Sequence, residues 1–353
     1  MDFRQSPSDE HGMMIPDADE QLKAAANEAV RREFPIGVPE AVRQRIGTEL
    51  RLAERNGLAS VILVLKKIAD TCRAHGAQYT VLGTAGNAML NLLLGVTPVN
   101  PMPPYAYCPS CGHFEQTDIE QHPTAYDGVS VCPNCGTALI KDGFDLPEEF
   151  FYLGSQPRNL TVRTAKAMRP IIYAEMQKLF GPDQIGWENS SPETILIAPH
   201  GIAITDSEPA VICRAAHGAT RPDAVHLPLY EKSGDPLHTA KPRSVSEWIV
   251  MYATQHGSGT WTEEMRELLA QGTPLQDIVT TRESVMRYLL RHGVDRSDAF
   301  TLAEAARKGL FVSRPEKYQS LINQYEIPQV YLNQLRHVRY LCPEAQAIEE
   351  FIR

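Results

Sequence analysis

The chain has 353 residues, 43% of them hydrophobic, and a formal charge of −9 at pH 7. That length suits two modest domains or one core carrying an inserted module, while the acidic balance excludes capture of a phosphate backbone by bulk electrostatics, so nucleic-acid contact would need a local basic face. The sequence holds no apolar run of about 18 residues and opens on a polar, acidic stretch, MDFRQSPSDEHGMM, so neither a membrane span nor a secretory signal is expected, and the expected location is cytoplasmic.

Residues 1–17 lack periodicity and read as a disordered tail. From Ala18 the pattern is helical, and residues 39–75 form two amphipathic helices broken at Asn56-Gly57, the second strongly apolar through Val61, Ile62, Leu63 and Leu65. Tyr79 to Leu82 follows as a short strand, Gly83 and Gly86 as a turn, and Asn87 to Leu94 as a short helix. Strand, glycine turn and helix is a phosphate-cradle topology, with Gly83, Thr84 and Gly86 as candidate nucleotide contacts; a plain tight turn uses the same residues.

The most specific pattern comes next: CPSC with Cys108 and Cys111, then CPNC with Cys132 and Cys135. Two such turns aim four thiolates at one point and complete the closed tetrahedral shell that a structural Zn²⁺ prefers, with no position left for water or substrate. Gly112 and Gly136 follow the second cysteine of each pair, where positive φ lets backbone N–H groups turn toward sulfur. Two disulfides, or four buried thiols, are the alternatives. Cys72, Cys213 and Cys342 are scattered in apolar contexts and read as small buried thiols of a reducing compartment.

Beyond the ribbon, the chain to Phe180 reads as a strand followed by a helix ending at Gly181-Pro182, and residues 194–205 alternate as a buried hairpin around Pro199-His200-Gly201. Glu231 to Arg243 has linker composition. From Val245 the chain is helical, with capping boxes expected at Thr280/Glu283 and Ser313/Glu316 and helix stops at Gly272, Gly293 and Gly309. The local basic candidates are Arg158, Arg163, Lys166 and Arg169 in one stretch, and Arg282, Arg287 and Arg291 on one helix; solvated faces explain both as well.

Several of these segments resemble the PolC-type DNA polymerase III α subunit. The carrying residues are LLGVTPVNPMPP (93–104), CPSCGH, CPNCGTALIKDGFDLP, SEWIVMYATQHGSGTW (246–261), residues 266–294, RKGL (307–310) and YLCPEAQA (340–347), with ADEQLKAAANEAV (18–30) and VPEAVRQRIGTEL (38–50) upstream. The resemblance implies a shortened stand-alone paralogue of the palm, zinc-module and fingers region. It also implies losses. The family carries Pro-Asp-Ile-Asp on the palm strand after the zinc module, where this chain has Pro157-Arg158-Asn159-Leu160. Two-metal nucleotidyl transfer needs those carboxylates to hold two Mg²⁺ about 4 Å apart. The arginine of the family's Ser-Arg-Gly-Ser cradle is absent from Val81-Leu82-Gly83-Thr84-Ala85-Gly86, a fingers histidine is replaced by Gln346, and a block of fingers helices is missing between Trp187 and Ile195.

Remaining carboxylates that could serve chemistry are Asp206 and Glu208, which would share a face if the preceding strand continued, and Asp235. Asp17-Ala-Asp19 alternates correctly, but its family counterpart is not catalytic. The expected fold is α+β: a disordered tail (1–17), a helical segment leading into the palm (18–104), a four-Cys zinc ribbon (105–145), a reduced palm-like segment with linker (146–242) and a helical fingers-like domain (243–353). The expected function is a catalytically degenerate replication or repair scaffold, binding DNA or a replisome protein, with zinc structural and Mg²⁺ needed only if polymerase activity survives. An active minimal polymerase is the enzymatic alternative. A DNA-binding module using His256, Trp261 and the residues between them is the third reading.

Overall fold

The computed structural model describes residues 15–116, 131–154, 160–180, 186–187, 195–197, 202–205 and 245–352. In chain order these form α1 (Ala18–Glu33), α2 (Glu40–Arg55), α3 (Ala59–Ala74), β1 (Tyr79–Leu82), α4 (Met89–Leu93), β2 (Tyr105–Tyr107), β3 (Phe114–Gln116), β4 (Ile140–Asp142), α5 (Glu149–Tyr152), β5 (Leu160–Thr164), α6 (Met168–Phe180), β6 (Gly186–Trp187), β7 (Ile195–Ile197) and β8 (Ile202–Thr205). Eight further helices are described: α7 (Val245–Gln255), α8 (Glu263–Ala270), α9 (Arg282–Arg291), α10 (Arg296–Arg307), α11 (Leu310–Ser313), α12 (Gln319–Ile322), α13 (Gln329–Leu335) and α14 (Glu344–Ile352). The architecture is a mixture of helices and two small sheets, as the α+β expectation has it.

The chain gathers into two compact units that are not consecutive blocks: residues 1–98, 109–112 and 151–210 in one, residues 99–108, 113–150 and 211–353 in the other. In the first, α2 shows its inward face at Val42, Ile46, Glu49 and Ala53, the spacing of one helical stripe. α3 is buried on almost every side, including Val61, Ile62, Val64, Leu65 and Ile68. The break at Asn56-Gly57 holds because Gly57 takes φ 62°, a left-handed value that costs glycine nothing. The five-stranded sheet runs β1-β5-β8-β7-β6. β5 is antiparallel to β1 and parallel to β8, with Leu160 opposite Ile202 and Arg163 opposite Thr205. β7 and β8 form the expected antiparallel hairpin, whose turn at His200 lies outside the described residues.

The second unit carries the three-stranded sheet β3-β2-β4 and the later helices. One core gathers Phe150, Val285, Met286, Leu289, Leu302 and Tyr331, a second Phe144, Leu146, Ile249, Cys342 and Ile348. The helix stops at Gly272, Gly293 and Gly309 all show positive φ. The caps differ from expectation. Thr281, not Thr280, is the N-cap of α9, its hydroxyl accepting from Ser284 N while Ser284 Oγ accepts from Thr281 N; Glu283 is turned into a buried ion-pair network instead. Ser313 caps nothing: it ends α11, and the following turn starts at Arg314 with no side-chain cap.

Candidate functional site

The four predicted zinc ligands converge. Cys108, Cys111, Cys132 and Cys135 place their sulfurs within 4.8 Å of one another, with Cys108 Sγ and Cys135 Sγ 3.4 Å apart. A tetrahedron with Zn–S of about 2.3 Å has S–S edges of about 3.8 Å, so the cage is of the size zinc takes. All four are free thiols, which removes the disulfide alternative. The knuckles are built alike: Cys108 N donates to His113 O and Cys132 N to Thr137 O, both at 2.8 Å, and Gly112 and Gly136 take φ 73° and 75°. Cys108 and Cys132 are buried, Cys111 and Cys135 exposed. Four thiolates around one ion leave no coordination position for a reactant, so a metal held here staples the β2-β3-β4 sheet.

The glycine turn is present but differently used. Gly83 takes φ 94°, and Gly86 lies in a turn of 3-10 helix ahead of α4. The first amides of α4, those of Met89 and Leu90, donate to the two carboxylate oxygens of Glu49 at 2.8 and 2.9 Å. Glu49 is fully buried. It also receives Arg45 Nε at 2.6 Å and the Tyr152 hydroxyl at 3.0 Å, and Arg45 reaches on to Asn87 O at 2.9 Å. The anion at the start of this helix is therefore the chain's own carboxylate, neutralised by an arginine from the same helix. The sequence did carry a signal for it: Glu49 falls on the apolar stripe of α2, where an acid without a partner would cost several kcal/mol, roughly.

Of the other expected site residues, Arg163 is half-buried within β5 and Lys166 is exposed in the turn before α6. Arg169 is buried, so that basic stretch is not one solvated face. Arg158, Asp206, Glu208 and Asp235 lie outside the described residues. β5 begins at Leu160, which is 1% exposed and apolar. Asp17 and Asp19 are exposed at the start of α1. Among the described residues the four cysteines are the only group of metal-ligand type that comes together.

In the helical half, His256 is exposed and packs edge-on to Tyr252 at 4.5 Å. Trp261 is half-buried immediately before Thr262, the N-cap of α8. Ser258 N donates to Tyr340 O at 2.9 Å, so this segment spends that amide on its own chain rather than offering it outward. Nor do Arg282, Arg287 and Arg291 form a basic face. Arg282 is buried over the Phe150 ring and pairs with Glu283 and Glu304, Arg287 holds Glu344 at 2.6 Å, and Arg291 alone is exposed, beside Asp277. Burial raises the Glu344 carboxyl above the usual range against the pull of Arg287.

The family model for the bacterial DNA polymerase III alpha NTPase domain matches residues 20–155, the stretch from α1 through the glycine turn and the cysteine cage to α5. Curated relatives extend the match along the chain. DNA polymerase III PolC-type of Caldanaerobacter subterraneus subsp. tengcongensis is 20% identical over 98% of this chain and 33% of its own length. The Bacillus subtilis protein of the same description is 21% identical over 98% of this chain and 32% of its own length, and that of Pediococcus pentosaceus 22% over 94% and 31%. The chain is similar to PolC-type DNA polymerase III over nearly all of its residues. It spans about a third of the length of the PolC proteins it matches, and the matched span of 467 positions exceeds its 353 residues, so PolC carries internal blocks that this chain lacks. No described helix is long and apolar enough to cross a membrane.

Proposed function

We propose that this protein is a catalytically degenerate PolC-related scaffold, with a reduced palm-like sheet, a structural zinc and a fingers-like helical half, acting by binding DNA or a replisome component. The observation that carries the reading is Leu160. In the resemblance to PolC, the start of β5 is where the second palm aspartate belongs, and a buried leucine side chain cannot coordinate Mg²⁺. Arg158, in place of the first aspartate, brings a positive charge that would repel the ions. The residues present do not fit the two-metal centre.

The glycine turn supports the same reading. A nucleotide triphosphate at Gly83, Thr84 and Gly86 would meet the Glu49 carboxylate on the neighbouring amides, and Ala85 supplies no guanidinium to outweigh it. Zinc in the Cys108, Cys111, Cys132 and Cys135 cage is part of the proposal, as a folding element.

One observation favours the second reading, an active minimal polymerase. β8 runs parallel to β5 and ends at Thr205, directly before Asp206 and Glu208. Thr205 pairs with Arg163, three residues from Leu160, or about 10 Å at strand rise, so such a carboxylate set would be a new site rather than the family's.

Primer extension on a primed template with Mg²⁺ or Mn²⁺, using zinc-loaded protein, separates the two. No extension from folded protein is the expected result. Robust metal-dependent extension that disappears in Asp206→Ala would establish the enzyme instead.

A further inference from the structure

Residues 336–340, Arg-His-Val-Arg-Tyr, form an edge held in place by two glycines from distant parts of the same unit. Gly259, at φ 73°, lies so close that a methyl group there would fall 2.0 Å from His337 O, and Gly309, at φ 64°, so close that one would fall 2.6 Å from Arg339 O. Ser258 pins the segment through its own O and N: Arg339 N and Tyr340 N donate to Ser258 O at 2.8 and 3.1 Å, and Ser258 N donates to Tyr340 O at 2.9 Å. On the other side Leu341 N donates to Arg307 O. Val338 is buried, while Arg336, His337, Arg339 and Tyr340 are exposed. The backbone is thus fixed and the cationic side chains face water.

The charges on this edge do not cancel. Among the described residues Arg339 has no carboxylate in ion-pair range, and the partner of Arg336 is the neutral Asn333 Oδ1. Lys308, adjacent to Gly309, shares Glu304 with Arg282 and Arg307. The other facing acid is Glu264, 3.5 Å from His337. A rigid cationic edge on a chain of net charge −9 is selectively attractive to a polyanion. The exposed Tyr340 ring, beside an imidazole and two guanidinium groups, adds a stacking platform that paired bases cannot use.

We infer that the Arg336–Tyr340 edge with Lys308 is a docking surface for single-stranded DNA, the guanidinium groups and the ammonium taking phosphates and Tyr340 stacking on a base. This rests on the DNA-associated reading above and names the surface responsible. Contacts to about three phosphates give a slope of log K against log salt of about −2 for a single strand.

The test is fluorescence anisotropy of the full chain with labelled oligothymidylate across a salt series. For Arg336→Glu/Arg339→Glu a loss of at least about tenfold is expected, with the slope shallower by about 1.4. Tyr340→Ala should weaken binding with the slope unchanged. Circular dichroism and zinc content confirm folding, and Arg51→Glu/Arg55→Glu in the other unit, both exposed, controls for bulk charge. Equal loss in that control, unchanged binding in the double variant, or tighter binding of a duplex of the same length would each overturn the assignment. Primer extension is read separately: an active polymerase whose oligonucleotide affinity still depends on Arg336 and Arg339 would sink the degenerate reading and leave this surface standing.

Discussion

The carboxylate of Glu49 accepts the backbone N–H groups of both Met89 and Leu90, at 2.8 and 2.9 Å, so a side chain of α2 occupies the amides where a glycine turn runs into a helix. Removing it leaves a half-buried guanidinium and two buried amides without this carboxylate: Arg45 lies 2.6 Å away, and the Met89 and Leu90 N–H groups lose their acceptor. Glu49→Ala should cost about 3–5 kcal/mol, the range for breaking a buried pair from one side. Glu49→Gln, which keeps an acceptor, should cost less. Urea unfolding followed by tyrosine and tryptophan fluorescence checks both; equal, small losses would mean that Glu49 is not the keystone of this corner.

Purified protein should hold close to one zinc per chain, and Cys108→Ser or Cys132→Ser should lose most of it, since each removes a buried ligand. Cys72→Ser is the control; its thiol lies 3.7 Å from Thr164 Oγ1, away from the cage. Elemental analysis after desalting measures the content, and a strong chelator should lower the melting temperature of the native chain more than that of Cys108→Ser.

Gly259→Ala and Gly272→Ala separate close approach from backbone strain. Both glycines have positive φ, but a methyl group at Gly259 meets His337 O at 2.0 Å while one at Gly272 has nothing within 4 Å. Left-handed strain alone predicts a loss of about 1–2 kcal/mol at Gly272, and overpacking adds about 1–3 kcal/mol at Gly259. Thermal unfolding of the two variants should differ by several degrees.

Acid should weaken the helical half through Glu304. Burial opposes its ionisation, yet the Arg307 hydrogen bond and the charges of Arg282, Arg307 and Lys308 outweigh that and hold the carboxyl below its ordinary 4.5. A group whose pKa is lower when folded contributes stability that is fully present above its unfolded pKa and is lost as pH falls through the folded value. Glu304→Gln should therefore lower stability at pH 7 and flatten the decline below pH about 4.5. A parallel shift of the whole stability profile would exclude this role.

Burial pushes the Cys342 thiol up to about 12, so it stays protonated at pH 8. Iodoacetamide should leave it unmodified in the native chain and label it promptly in urea, with mass spectrometry of the peptide as readout. Rapid native labelling would show that the core around Ile249 and Ile348 opens.

Local chemistry made much of this molecule legible in advance. Short-range rules placed β1 at Tyr79–Leu82, the break at Asn56-Gly57, the β7–β8 hairpin and the glycine stops. The capping boxes went astray because Thr280 and Thr281 are adjacent, and the choice between them depends on Glu283 finding Arg282 and Glu344 N, 61 residues away in sequence. The three arginines of α9 read as a solvated face for the same reason: Glu304, Glu344 and Asp277, which they meet, lie on other elements.

The cysteine cage is legible in the chain alone, because two Cys-x-x-Cys turns followed by glycine aim four sulfurs at one point, and so is the similarity to PolC, which residues at matching spacing carry. Folding alone brings Glu49 to the amides that open α4, seals Leu160 at the start of an inner strand, and leaves Arg336 and Arg339 without a carboxylate in ion-pair range among the described residues, on an edge clamped by Gly259 and Gly309. Each of these depends on which distant backbone or charge arrives within hydrogen-bond or contact range, and that is settled by packing rather than by neighbours in the chain.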